Sequence, residues 1–291
     1  MVRAVLMAFL CWSMLVVPSA SAQSVTTRVI LYGADGALGT PSNLYVLSGA
    51  GGGVIRGPIG FAVTGLAVHP LTGVLYGSVG NADGLAPGSL LTIDKATGQG
   101  TVVGSFGLPG ETMADLTFTS DGTLYGWAEG NADDLYTVDV TTGLATLVGN
   151  SGIDTRGSGL AANSANVLFF TGDDDDGVLR TIDRFTGLPT TVATLNGTFG
   201  DPINALAFGP GDALYGVLSH SGPTRPSELI IINTVTGAIS RLGPSIDRLD
   251  AIAFELEPIP PIPTLSDAAF VVLAGSLAAV ALYRMRRARR T

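Results

Sequence analysis

The chain has 291 residues, with 24 acidic side chains against 15 basic ones, a net charge of −9, 46% hydrophobic residues and 40 glycines. Six of the basic residues, Arg3 and five arginines beyond residue 283, lie at the two ends, so the span between them sets nine positive charges against all 24 negative ones. A body this acidic repels nucleic acid and anionic membrane surfaces. It excludes nucleic acid as a partner and suits cations, cationic partners or solubility outside the cell.

Residues 1–22 read as a signal peptide. Arg3 supplies the positive start, AVLMAFLCWSMLVV the apolar core, and Ala20-Ser21-Ala22 a small-x-small cleavage site before Gln23, with Ala20 and Ala22 as its recognition residues. The single cysteine, Cys11, falls inside this segment. The mature chain therefore has no disulfide, and its stability must come from its core, which a span of more than 200 residues is long enough to build.

Residues 23–257 are repetitive. A strand running into a D-x-x-T-G turn appears as LLTIDKATG ending at Gly98, LYTVDVTTG at Gly143, LRTIDRFTG at Gly187 and LIIINTVTG at Gly237, with a degenerate LYVLSGAGG at Gly52. A second strand closes on Leu-Tyr-Gly at Gly33, Gly77, Gly126 and Gly216, with Leu168-Phe169-Phe170 as its variant. It is preceded by an apolar strand (GLAV, DLTF, GLAA, ALAF), and a fourth strand follows each D-x-x-T-G turn. Four short strands in about 45 residues match a propeller blade. A solenoid needs a shorter period, and a sandwich gives no reason for this one.

The first Leu-Tyr-Gly has no apolar strand before it, and the last apolar strand, Ala251-Ile252-Ala253-Phe254, has no Leu-Tyr-Gly after it. A ring pairs the two and leaves no open edge. The expected fold is therefore all-β: a five-bladed propeller of four-stranded antiparallel blades, closed by a C-terminal strand at about 250–255 on the N-terminal blade.

Asp94, Asp139, Asp183 and Asn233 begin the turns, where a side-chain oxygen accepts backbone N–H bonds and the glycine takes positive φ. They read as structural, and Tyr32, Tyr76, Tyr125 and Tyr215 as packing between blades. Loops 80–89, 129–135 and 171–178 should share one face with the links between blades, along with Glu111, Asp154, Arg156, Asp201, Asp247, Arg248 and Asp250. Ca²⁺ takes six to eight oxygens. Asp173, Asp174, Asp175 and Asp176 before Gly177 are the candidate metal ligands, against the ordinary reading of a solvated acidic loop. An EF-hand does not fit, because Gly172 takes the first ligand position. No motif requires a cofactor.

Catalysis has little support. The two histidines, His69 and His220, fall in different blades, and no nucleophile, P-loop or zinc motif occurs. No catalytic residue is assigned, although two rim carboxylates would suffice for glycoside hydrolysis.

The C-terminal end divides into a stiff Pro-rich spacer and start of a motif (258–264), an apolar run long enough for a transmembrane helix (265–283) and a basic cytoplasmic tail (284–291) with Arg284, Arg286, Arg287, Arg289 and Arg290. The sequence Ile262-Pro263-Thr264-Leu265-Ser266, followed by the apolar run and the arginines, resembles IPTL-type C-terminal sorting signals. These are similar in plan to the PEP-type signals that exosortases process in Gram-negative bacteria. Asp267 keeps the acid common after the serine, while Ala268 stands where the family has an aromatic. The resemblance implies transient anchoring in the inner membrane, an exosortase-like processing enzyme as partner, and delivery to the envelope or exterior.

The function expected on these grounds is a non-catalytic interaction or adhesion module whose loop face binds polysaccharide or a surface protein. The alternatives are a glycan-acting hydrolase or lyase using acidic rim residues, and a purely structural matrix component.

Overall fold

The computed structural model describes residues 27–36, 39–130, 133–172, 177–197, 201–219 and 226–258. Residues 1–22, the 173–176 run, His220, the 262–266 motif, the apolar run 265–283 and the tail arginines lie outside the described residues. Among the described residues no helix is long and apolar enough to cross a membrane.

Strands of four to ten residues form five antiparallel sheets. Blade 1 contains β1 (Thr27–Asp35), β2 (Asn43–Leu47) and β3 (Gly53–Pro58). Blade 2 contains β4 (Val63–Val68), β5 (Leu75–Val79), β6 (Ser89–Ile93) and β7 (Gly100–Ser105). Blade 3 follows with β8 (Thr112–Phe118), β9 (Leu124–Glu129), β10 (Asp133–Val138) and β11 (Ala145–Ile153). Blade 4 has β12 (Gly159–Ala162), β13 (Leu168–Thr171), β14 (Val178–Ile182) and β15 (Pro189–Thr194), and blade 5 has β16 (Ile203–Phe208), β17 (Leu214–Leu218), β18 (Glu228–Ile232) and β19 (Ile239–Pro244). The last strand, β20 (Leu249–Pro258), joins β1, so blade 1 reads β20-β1-β2-β3 and the ring closes as expected. Closure uses a longer strand than the 250–255 read from sequence.

Each blade buries its two faces against its neighbours, so the hydrophobic core is divided among the seams. One buried cluster lies at each: Ile30, Leu44 and Leu66 between blades 1 and 2, Leu90 and Leu116 between 2 and 3, Trp127 and Leu160 between 3 and 4, Leu179 and Leu206 between 4 and 5, and Val217 and Ile252 between 5 and 1. Leu66, Leu116, Leu160, Leu206 and Ile252 occupy equivalent places on the five innermost strands, and each is at most 1% exposed. The second-strand aromatic of one blade stacks on the inner strand of the next. Tyr76 meets Phe118 at 5.6 Å, Phe169 meets Phe208 at 5.3 Å and Tyr215 meets Phe254 at 4.8 Å. The tyrosines therefore pack between blades, as their repeat spacing implies.

The repeated acids are turn residues. Asp94 Oδ1 accepts from the backbone N–H groups of Ala96 (2.9 Å) and Thr97 (2.8 Å), and Asp139 and Asp183 do the same two and three residues on. Asn233 Oδ1 serves Val235 and Thr236 in the same way. These bonds favour the ionised form and hold the three carboxyls below their ordinary range.

The turn glycine has a second duty beyond its backbone conformation. Gly143 has φ 81°, and a Cβ on it would lie 2.4 Å from the carbonyl oxygen of Gly104 in the preceding blade. Gly143→Ala is therefore expected to lower stability by about 2–4 kcal/mol, from left-handed strain and overpacking together. A fall in the urea midpoint at unchanged slope would register it.

Bulges recur at equivalent positions. The outer strand pair slips register beside Leu44, Leu90, Leu135, Leu179 and Leu229, in every blade and on both sides of Leu135 in blade 3. A bulge increases local twist, which lets each outer hairpin lean onto the blade before it. The backbone bonds from Gly100 N to Ile59 O and from Ala145 N to Phe106 O show that lean.

Candidate functional site at the channel mouth

The five innermost strands, β4, β8, β12, β16 and β20, are the free edges of their sheets, and they surround the axis. Two residues before each aligned leucine or isoleucine stand Thr64, Ala114, Ser158, Asn204 and Asp250. Thr64, Ala114 and Asn204 are the extra residues of bulges in β4, β8 and β16. A bulge re-aims the side chain that carries it, and here all five residues line one cavity of about 430 Å³.

The wall is small and open where Gly36, Gly39, Gly80, Ala82 and Gly157 line it, and polar where Asn81, Thr112 and Glu129 do. None of the lining residues is basic. Asn204 Nδ2 donates to Asp250 Oδ1 at 3.1 Å, while Asn204 Oδ1 is buried with no hydrogen-bond partner among the described residues. Gly36 is required beside Asp250, since a Cβ there would sit 2.3 Å from Asp250 Oδ2. Burial pushes the Asp250 carboxyl up to about 6, against the opposing bond from Asn204. Burial likewise raises Glu129, opposed by hydrogen bonds from Ser158, whose backbone N–H reaches Glu129 Oε1 at 2.9 Å. The mouth thus holds two carboxyls whose pKa values burial raises, an acceptor with room for a donor and, among the described residues, no basic side chain. Such a site favours a hydrogen-bond donor or cationic group.

One step deeper the ring reads Gly65, Asp115, Gly159, Ala205 and Ala251. Asp115 is fully buried. Its Oδ1 accepts from Leu116 N (2.8 Å), and its Oδ2 from Leu160 N (2.9 Å) and Leu206 N (3.2 Å). An inner edge strand presents backbone N–H groups that no neighbouring strand can satisfy. Asp115 supplies the missing acceptor for three blades at once. Burial pushes its carboxyl well above the usual range, with the three N–H bonds pulling the other way. The small residues beside it are needed, because a Cβ on Gly65 would come within 2.7 Å of Asp115 Cα.

At the far end of the channel Val68, Phe118, Ala162, Phe208 and Phe254 line a smaller void of about 100 Å³. The three phenylalanine rings are stacked into the blade seams, and the accessible wall is mainly polar. The two mouths therefore differ in size.

Of the acids expected on the loop face, Asp250 and Glu129, the first residue of loop 129–135, line the cavity among the described residues. Asp83 is turned inward and accepts from Ala62, Leu85 and Ala86 N–H groups at 2.7–2.8 Å. Asp133 bonds Gly130 and Thr155, and Asp134 bonds Ser151. Asp83, Asp133 and Asp134 therefore hold their loops together and tie them to neighbouring segments at Ala62, Ser151 and Thr155. Glu111 accepts from the Tyr136 hydroxyl at 3.3 Å. Asp154, Arg156, Asp247 and Arg248 are exposed, and Asp201 is half-buried. No group of three or more His, Cys, Asp or Glu residues that could hold a metal occurs among the described residues. His69 is a turn residue, its Nδ1 accepting from Leu71 N at 3.2 Å and its ring 4.8 Å from Phe118.

Asn204 and Asp115 were not singled out from the sequence, and Glu129 entered only as the first residue of loop 129–135. A signal for Asp115 exists there: aligned on the GLAV-type strand, it stands where the other blades have only Gly or Ala.

Residues 260–287 match the IPTL-CTERM motif, a stretch that contains the Ile262-Pro263-Thr264-Leu265-Ser266 segment. This is a propeller with a C-terminal sorting signal. No curated protein is matched by the sequence. Among solved structures, the chain is similar to one in the crystal structure of a nidogen/laminin complex, at 12% identity and a TM-score of 0.55, over 80% of this chain and 100% of that one. It is also similar to a structural genomics protein of unknown function from Bacteroides thetaiotaomicron, at 15% identity and a TM-score of 0.48, over 64% of this chain and 53% of that one. The chain thus spans about half the length of the second protein. The first likeness bears on the fold alone. The sorting signal points to an exported, envelope-associated protein whose C-terminus is read by a processing enzyme.

Proposed function

We propose that the protein is exported through cleavage after Ala20-Ser21-Ala22, held for a time in the inner membrane by residues 265–283, and released to the envelope or exterior as a non-catalytic interaction module. In this reading Arg284, Arg286, Arg287, Arg289 and Arg290 stop translocation, and an exosortase-like enzyme cuts near Ile262-Pro263-Thr264-Leu265-Ser266. The sorting match at 260–287 is the observation that carries it.

The ligand, a surface polysaccharide or protein, is taken at the loop face, where Asp250, Glu129 and Asn204 offer acceptors in a cavity without basic residues. Ca²⁺ enters only through Asp173, Asp174, Asp175 and Asp176.

The test is the intact mass and location of the protein in its native cells. A mass lacking residues 1–22 and the residues beyond the motif, in a body found outside the inner membrane, is the expected result. A full-length C-terminus retained in the inner membrane would overturn the sorting step. Release of reducing sugar by the purified protein would instead establish the glycan-acting alternative.

A further inference from the structure

The two faces of the propeller differ in the residues that their turns and loops expose. The inner strands run from the loop side to the side of the hairpin turns, so β20 ends, and β1 begins, on the turn side. The ion pairs Arg28–Glu257 (2.7 Å) and Lys95–Glu255 (2.5 Å) join the two chain ends and a D-x-x-T-G turn there. Ser120 N to Asn166 Oδ1 (2.7 Å) and Arg184–Asp121 (3.6 Å) link further turns of neighbouring blades on the same side.

On this side stand Leu71, Leu144, Phe185, Leu188 and Val235 in the turns and Leu256 near the end of β20, all 56–80% exposed. In the loops of the opposite side, Leu85 is the one exposed large apolar residue among the described residues. Scattered apolar side chains on a surface are ordinary. Their concentration on the face from which the chain leaves for its apolar run is what needs a cause.

From residue 258 only seven residues precede that run, and an extended Pro-rich segment covers about 3.1 Å per residue, or about 22 Å in all. Resting on the anchoring proposed above, we infer that in the anchored form the turn face lies on the bilayer surface, with Phe185, Val235 and their neighbours in the headgroup region and the acidic channel mouth directed away. The tether holds the membrane at this face at a high effective concentration, which no other partner shares. The exposed carboxylates of Asp94, Asp139 and Asp183 on the same turns oppose anionic headgroups, so the surface suits zwitterionic lipid.

The full chain, carrying Cys11→Ser and a single fluorophore at Val235→Cys or Leu85→Cys, is reconstituted in phosphatidylcholine vesicles with nitroxide-labelled headgroups. Quenching at position 235 is expected to exceed that at 85 by about threefold, because a blade strand of five to six residues separates the two faces by about 17–20 Å. Serine at Leu71, Phe185 and Leu188 together should bring the two values together. Equal quenching in a protein that is inserted would overturn the docked face while leaving the anchor intact. Failure to insert would refute the anchor, and the docked face with it. Concentration-dependent self-quenching at 235 would show a second copy on this face, and would also overturn the inference.

Discussion

Asp115→Ala is expected to destabilise the propeller by about 3–5 kcal/mol, a large share of the stability of a typical domain. Each buried N–H left without an acceptor costs about 1–3 kcal/mol, and three lose their partner at once. Water entering the channel would recover part of this, so the total falls short of three full penalties. Asp115→Asn keeps one acceptor oxygen and turns an NH₂ toward a donor, so it should fall between wild type and alanine. Urea unfolding gives the size. Amide hydrogen exchange gives the mechanism, because Leu116, Leu160 and Leu206 sit in three different blades and should lose protection together. A change below about 0.5 kcal/mol, the range of ordinary surface substitutions, would refute the axial tie.

The second large effect is a dependence of stability on pH. Asp250 titrates near 6 in the folded protein against 3.8 ordinarily. A carboxyl raised by folding adds stability that is complete below the ordinary value and is lost as pH rises through the folded one. Two units correspond to about 3 kcal/mol between roughly pH 4 and pH 7. Glu129 and Asp115 are raised by burial and act in the same direction. Asp94, Asp121, Asp139, Asp183 and Asp212 are lowered, so their contributions fade only in stronger acid.

The melting temperature should therefore be highest in mild acid and fall by about 5–10 °C on going to pH 7.5. Asp250→Asn, which mimics the protonated acid, should raise the melting temperature at pH 7.5 and flatten the curve. A wild-type profile with no slope across this range, or an asparagine variant that keeps the full slope, would refute the assignment.

The same two carboxyls are the ones offered to a ligand. A donor or cation bound between them would relieve their burial penalty, so binding should stabilise the protein more at pH 7 than at pH 5. The loop acids that drew attention as a repeat, Asp83, Asp133 and Asp134, take no part because backbone N–H groups already occupy them.

Blade number, turn chemistry and ring closure were legible in the linear sequence because each is a local or periodic property. An Asp that accepts two N–H bonds, a glycine at positive φ and an alternating four-strand unit depend on near neighbours, and a strand missing at one end and present at the other implies its partner. The C-terminal sorting motif is likewise a linear segment, and its hydrophobicity and charge are visible without a fold.

The channel was not legible, for a physical reason. Thr64, Ala114, Ser158, Asn204 and Asp250 are separated by 44 to 50 positions in the chain and become neighbours only when five blades close around an axis. Bulges that no residue type announces then turn several of them inward. Asp250 and Asp115 look like other aspartates until the ring removes water from around them. Their proton affinities, the polar mouth and the tie across three blades are consequences of that burial.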